Sequence, residues 1–502
     1  MAQSETVEDL DKFKHNGNEA VELAGHGCYN RLVLVACSVI SNAVALDMFG
    51  FGVVLAAASC DLQLGIREIG VLGSMPFAGV LFAFPWGYFA DTRGRRRALL
   101  VSCTGGFILA ALGSLSPSWQ VLLVLKLIGC WFSTASYSLT MAYLGECTGN
   151  KHRSEYLFVM NSMNLFSEAV TFIIAYFILP LTFNIPIPWL SITYRPWRLL
   201  TFLMAIPLGI GAVMMWFLYE SPKFLANSGK NDQALEVLRK IFEMNGGDRQ
   251  HYQVKALEST KSETESKPNL WKSIQQQTTP IFKPPFLWRT LQLFYLLIII
   301  ICTNNVFEIW FSTIVNSFFT SSNANVDFCD RVVANITAVP GDNGDFNCND
   351  TISNYTIYSG IAYGFFITIV NLIMVKVAAW RRLVLIIITL VSAVCSALVV
   401  IISEPITSII LFTLLQGTAV GVGVVASYFV DIYPTSYRGM VTSLGMMTSR
   451  LVSVGGINVM GTAITTDCSL TFYSWSAFLF SGVAAALFLP PDKTKGFRAS
   501  TT

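Results

Sequence analysis

Four charges sit where a chain rarely tolerates them. Asp47 lies in AVALDMFGFG, Glu168 in NLFSEAVTF, Glu308 in TNNVFEIWF and Arg450 in MMTSRLVSVGG, each inside a long apolar run. A charge in hydrocarbon is costly unless it faces a cavity or a partner. These residues read as a polar cavity in which the acids exchange protons or hold a cation, while Arg450 holds an anion or a paired acid. The competing reading is a set of internal ion pairs that fix helix register, with Glu308 hydrated near an outer mouth. Lys126 is a fifth charge of this kind. Asn304, Asn305 and Trp310 share a run with Glu308, a stripe that suits a mostly apolar solute with a polar head, although aromatics near a helix end also serve as interface anchors. Gly50, Gly52, Gly455 and Gly456 follow the charges and permit close helix approach or bending.

The elements that must position these groups are membrane spans. Of 502 residues, 53% are hydrophobic and 13% charged, and the mean hydropathy is +0.55. A soluble domain carries about a quarter charged residues, so composition points to a membrane protein. A span needs about 20 apolar residues wound as a helix. Twelve runs qualify: Leu32–Ala57, Ile69–Ala90, Ala98–Leu115, Trp119–Tyr143, Tyr156–Leu181, Leu199–Leu218, Thr290–Phe319, Tyr358–Val377, Leu383–Ile402, Thr407–Phe429, Met440–Thr465 and Leu470–Leu489. The expected organisation is all-α: an N-terminal segment (1–30), a six-helix half (31–218), a linker (219–289), a second six-helix half (290–489) and a tail (490–502). The first thirty residues lack the short apolar core of a cleavable signal.

The stretch WGYFADTRGRRRALL places Asp91, Arg93, Arg95, Arg96 and Arg97 at the seam between the second and third runs. Basic residues concentrate in cytosolic loops. Lys151, Arg153, Arg381, Arg382 and Arg438 fall in loops of the same parity, whereas the opposite loops carry Arg67, Arg195, Arg198 and Arg331. Both termini and the linker are therefore expected in the cytosol. Three glycosylation triplets, at Asn335, Asn349 and Asn354, cluster between the seventh and eighth runs. The loop 320–357 is then luminal or extracellular. Oxidation is permitted there, and a disulfide between Cys329 and Cys348 is expected.

In the linker, NDQALEVLRKIFEMNGG sets Ala234, Leu235, Leu238, Ile241 and Phe242 on one helical face. Asn231 or Asp232 is placed to cap it, and Gly246-Gly247 to end it. Ser259–Pro268 is polar and expected to be flexible. The net charge of +2 and the lack of a basic stripe argue against a nucleic-acid partner. No nucleophile, metal or nucleotide motif is present, which argues against an enzyme and against a cofactor, and without a P-loop ATP is not expected to drive the protein.

The pattern Gly87-x-x-x-Asp91-x-x-Gly94-Arg95-Arg96 resembles the signature between the second and third helices of the major facilitator superfamily. Tyr143, Glu146 and Arg153 in YLGECTGNKHR, Glu220-Ser221-Pro222 with Gly229-Lys230, and Asp431, Tyr433, Pro434 and Arg438 in DIYPTSYRG are similar to the branch of organic ion transporters and synaptic vesicle glycoprotein 2 relatives. The glycosylated loop after the seventh helix favours the vesicle-glycoprotein side.

The resemblance implies two six-helix halves rocking about a midplane site, in a plasma or vesicle membrane. Gly87, Asp91, Gly94, Arg95, Arg96, Glu146, Arg153 and Arg438 would then form a conformational latch, with Asp91 meeting the positive end of the eleventh helix when the cytosolic side is closed. Two departures stand out. Lys126 occupies a position where the superfamily often has arginine. The loop after the eighth run reads KVAAWRR, without the Asp-x-x-Gly-Arg pattern, so the latch is expected from one half only, or transport is relaxed. Arg450 falls where related anion transporters carry a basic residue and the vesicle glycoproteins a lysine, which hints at an anionic or carboxylate ligand. Two functions follow: a secondary transporter of a small organic solute, with protons as the candidate coupling ion, or a vesicle membrane protein that acts through partner binding with little or no transport.

Overall fold

The computed structural model describes residues 14–15, 17–79, 84–248, 251–252, 254, 256–257, 278–320, 327–336, 351–377 and 380–490. The apolar runs form helices because lipid offers no partner for bare backbone. In the first half these are α1 (Gly17–Leu23), α2 (Cys28–Met48), α3 (Phe51–Ala58), α4 (Ile66–Gly79), α5 (Phe84–Arg93), α6 (Arg95–Gly113), α7 (Trp119–Cys147), α8 (Asn150–Leu165), α9 (Ser167–Ile178) and α10 (Pro196–Phe217). The linker holds α11 (Pro222–Asn227) and α12 (Asn231–Met244). The second half has α13 (Leu287–Thr320), α14 (Phe328–Ile336), α15 (Asn354–Val377), α16 (Arg381–Ile401), α17 (Pro405–Leu415), α18 (Gly421–Ile432), α19 (Thr435–Thr466) and α20 (Cys468–Leu487).

Among the described residues, ten helical stretches are long and apolar enough to cross a membrane. Of the twelve predicted runs, the second is divided between α4 and α5, with residues 80–83 outside the described set. The eleventh is α19, whose many Ser and Thr residues and Arg450 lower its hydropathy. Three further predicted spans are interrupted. α2 gives way to α3 at Phe49–Gly50, α8 to α9 at Phe166, and α17 to α18 through a 3-10 turn at Gln416–Val420. The first break falls two residues after Asp47, and the second falls two residues before Glu168.

The halves meet at the end that carries α14. Gly52 lets α3 approach α13 so closely that a Cβ would lie 2.7 Å from the Ile309 carbonyl, and Gly364 lets α15 approach the Ala169 amide on α9. Phe172 stacks edge-on against Phe311 across the same seam, with ring centroids 5.7 Å apart. At the opposite, linker end, α12 docks under the first half. Ala234, Leu238 and Ile241 are buried there, as the periodicity predicts. The cap differs from expectation: the helix begins after Lys230, with no side-chain cap. Its exit is knotted to the first span by Asn245. Asn245 Nδ2 donates to the Ala24 carbonyl at 3.1 Å and to Asn30 Oδ1 at 2.9 Å, while its Oδ1 accepts from the Tyr29 amide at 3.1 Å. A two-residue parallel pairing of Lys14–His15 with Ala256–Leu257 adds a second tie.

The predicted Cys329–Cys348 disulfide is replaced by Cys329–Cys468, with Cα atoms 5.6 Å apart. The cause is α14, a helix inside the loop. Its Phe328 packs between Phe318, Phe412 and Phe472 and so carries Cys329 onto the start of α20. Cys60 is disulfide-bonded as well. Cys348, Asn349 and the stretch Ser259–Pro268 lie outside the described residues. Asn354 is exposed at the start of α15, and Asn335 lies on α14.

Candidate functional site

The six predicted cavity residues fall into three places rather than one. The first is an ion pair within the first half. Lys126 Nζ, on α7, lies 2.5 Å from Asp47 Oδ1 on α2, and both side chains are about nine-tenths buried. Ser133 donates to Asp47 Oδ2 at 2.8 Å. Lys126 also donates to the Asp47 backbone carbonyl. That carbonyl is brought into use by the break after α2, where hydrogen bonds tighten to Gly52–Phe49 and Val53–Gly50. The ammonium lies 4.4 Å from the centroid of the Phe51 ring. A cavity of about 20 Å³ opens against the pair, walled by Leu109, Leu122 and Met204. That is room for one water.

The second place joins the halves. Glu168 on α9 and Glu308 on α13 are in hydrogen-bonding contact through their carboxyls. Asn304, one turn before Glu308, donates to Glu308 Oε2 at 2.7 Å. Both acids are buried, so Glu308 is not a hydrated residue of an outer mouth. Asn305 turns the other way and donates to Ser453 Oγ on α19 at 3.1 Å. Trp310 is buried and donates to the Ile457 carbonyl at 3.0 Å, which makes it a packing group rather than an interface anchor.

The third place is Arg450 on α19. Among the described residues it has no carboxylate within ion-pair distance. It interacts electrostatically with Tyr137, on α7 of the other half. Tyr137 in turn donates to Asn161 Oδ1 at 3.3 Å. Arg450 and Tyr137 thus interact electrostatically from opposite halves.

The predicted latch residues lie at the linker end, and those with recorded partners bond within their own half. Asp91 pairs with Arg95 at 2.7 Å, and Arg95 Nε reaches Glu146 Oε1 at 3.2 Å. Gly94 adopts φ +108°, and a Cβ there would strike Glu220. Glu220 Oε1 accepts from the Arg96 amide at 2.9 Å, so a carboxylate caps the positive end of α6. The neighbouring Ser221 Oγ caps α11 through the Phe224 amide. Arg96 donates to the Met215 and Trp216 carbonyls at the end of α10. Arg438 donates to the Tyr433 carbonyl at 3.3 Å. The Arg153 Nε is buried without a hydrogen-bond partner. Gly87 is exposed, with open space where a Cβ would stand, so it is not a packing glycine in this state. Asp91 is bound to Arg95, not to the start of α19.

Two partners escape sequence reading. The WRR of the second half repeats part of the first-half arrangement: Arg381 pairs with Asp431 at 2.6 Å, and Arg382 donates to the Leu487 carbonyl at the end of α20. The symmetry is therefore less worn than the missing motif implies; what is lost is a counterpart to Asp91. At the α14 end, Asp61 Oδ2 accepts from Arg198 Nη2 and from Trp197 Nε1, both at 3.0 Å. Asp61 sits in a short polar loop with no periodic signal, so only the folded chain brings these partners together.

The family model described as Major Facilitator Superfamily matches residues 37–328. The chain is 24% identical over 248 residues to synaptic vesicle glycoprotein 2B of Homo sapiens, a match covering 48% of this chain and 36% of that one. It is 25% identical over 247 residues to synaptic vesicle glycoprotein 2C of Mus musculus, covering 48% and 34%. These matches span about a third of each relative's length. Among solved structures it is similar to the partially occluded inward-open form of the xylose transporter XylE from E. coli. That similarity has a TM-score of 0.64 at 14% identity and covers 93% of this chain and 99% of that one. A bacterial homologue of the human lysosomal transporter Spinster, in an inward-facing form, matches with a TM-score of 0.61 at 12% identity, covering 92% and 97%.

Proposed function

The chain belongs to the major facilitator superfamily, and from that premise we propose that it is a secondary transporter of a small organic solute, coupled to protons and working by alternating access. The observation that carries this reading is the buried Asp47–Lys126 pair at a helix break, beside a water-sized cavity. A buried pair stays ionised only while both partners remain. Protonation of Asp47 releases Lys126 from its carboxylate and leaves the ammonium held at the break by the Asp47 backbone carbonyl alone, which gives proton binding a mechanical consequence.

Contact between the halves at the α14 end, together with separately paired charges at the linker end, supports a cytosol-facing state in the orientation expected from the basic loops. Arg450, which interacts with Tyr137 of the other half and has no carboxylate partner among the described residues, is the proposed contact for a solute anion, best a carboxylate. On this reading the Asp91 latch engages α19 only after the linker end closes.

A thermal-shift screen of small organic acids on the purified protein tests the solute site. At least one acid should raise Tm in the wild type and fail to do so in Arg450→Ala. No shift with any acid, or equal shifts in the variant, would count against the assignment.

A further inference from the structure

The structure assigns a second proton-binding site, at Glu168–Glu308, in which one shared proton clasps the two halves together at the α14 end. The inference is separate from the coupling proposed for Asp47 and survives if transport fails.

The two carboxyls are in contact from opposite halves. Glu308 is 8% exposed and Glu168 7%. A carboxylate only accepts hydrogen bonds, so two carboxyls bond to each other only when a proton sits between them. The surroundings supply no other balance. Asn304 Nδ2 is the donor to Glu308 Oε2, while Glu168 Oε1 is buried without an N–H or hydroxyl donor. Tyr363 on α15 interacts electrostatically with both acids. Among the described residues no lysine, arginine or histidine pairs with either acid, and no three metal-ligating side chains gather anywhere. Asp47, the nearest acid along the first span, is already matched by Lys126.

Position turns this proton into a clasp. A Cβ on Gly52 would lie 3.3 Å from the Glu308 carbonyl, and a Cβ on Gly364 would lie 2.2 Å from the amide of Ala169, the residue after Glu168. The pair thus sits between two close backbone approaches of the halves, which must part for the α14 end to open. Opening separates the carboxyls and removes the reason to hold the proton, so the closed form binds it more tightly. With one linked proton, the open-to-closed ratio rises by up to about tenfold per pH unit across the titration.

Pulsed electron paramagnetic resonance on the full-length protein tests this directly. Nitroxides are placed at Leu181→Cys and Tyr355→Cys, exposed sites beyond α9 and at the start of α15, with the exposed free thiol Cys28 changed to Ser. The long-distance population should grow as pH rises. Glu308→Gln and, independently, Glu168→Gln should stay short at every pH, because the amide donates the hydrogen bond that the proton supplied. A pH-invariant distribution would overturn the proposal. So would a full pH response in both glutamine variants, or a shift at fixed pH when sodium replaces choline.

Discussion

Arg381 Nη2 lies 2.6 Å from Asp431 Oδ2, an ion pair that ties the start of α16 to the end of α18. Arg95 and Glu146 make the equivalent tie between α6 and α7. In each half the next arginine, Arg96 or Arg382, reaches the last carbonyls of the sixth helix of that half. The halves are thus braced at the linker end by one repeated device. The Asp431 side chain is 41% exposed, so the pair is screened. A double-mutant cycle of Arg381→Ala and Asp431→Ala, read by thermal unfolding, should give a coupling of about 1 kcal/mol or less.

The Asp47–Lys126 pair should behave differently, because both partners are buried. Lys126→Met leaves an uncompensated carboxylate and should cost about 3–5 kcal/mol. Adding Asp47→Asn to it should recover part of that loss. Denaturation of the detergent-solubilised variants measures both effects. Equal losses in the single and double variants would show that the pair is not electrostatically matched.

Cys329–Cys468 closes a loop across 139 residues and pins α14 to α20. Cys468→Ser should lower stability by about 2–5 kcal/mol. Non-reducing peptide mapping should recover one linked peptide holding both cysteines, and reduction should separate it.

Lys223, on α11 at the linker end, is lowered to about 8 by burial and then by Arg153 beside it. In the unfolded chain a lysine titrates near 10.4. Between those values the unfolded chain holds the proton and the folded chain does not, so stability rises with pH across that window and is flat below it. Lys223→Gln should flatten the rise, as a series of Tm values from pH 7 to about 10.5 would show.

The spans, the linker helix and the family were legible because they rest on local signals: apolar length, a 3.6-residue period, and the Gly87–Arg96 pattern. Each buried charge was also visible as an anomaly in an apolar run. Their partners were not, because pairing depends on how the helices pack. Asp47 meets Lys126 from another helix, Glu168 meets Glu308 from the other half, and Arg450 meets neither. The disulfide departs from expectation for the same reason. Cys329 and Cys348 are close in sequence, but a short amphipathic helix inside the loop carries Cys329 toward Cys468.

Proton-coupled solute transport is tested most directly by uptake into proteoliposomes. Radiolabelled organic acids, sugars and organic cations would be offered with and without an inward proton gradient. At least one solute should accumulate only with the gradient, and the charge-matched double variant Asp47→Asn/Lys126→Met should abolish that accumulation while remaining folded. Accumulation that ignores the gradient, or no accumulation of any solute in the wild type, would contradict the account.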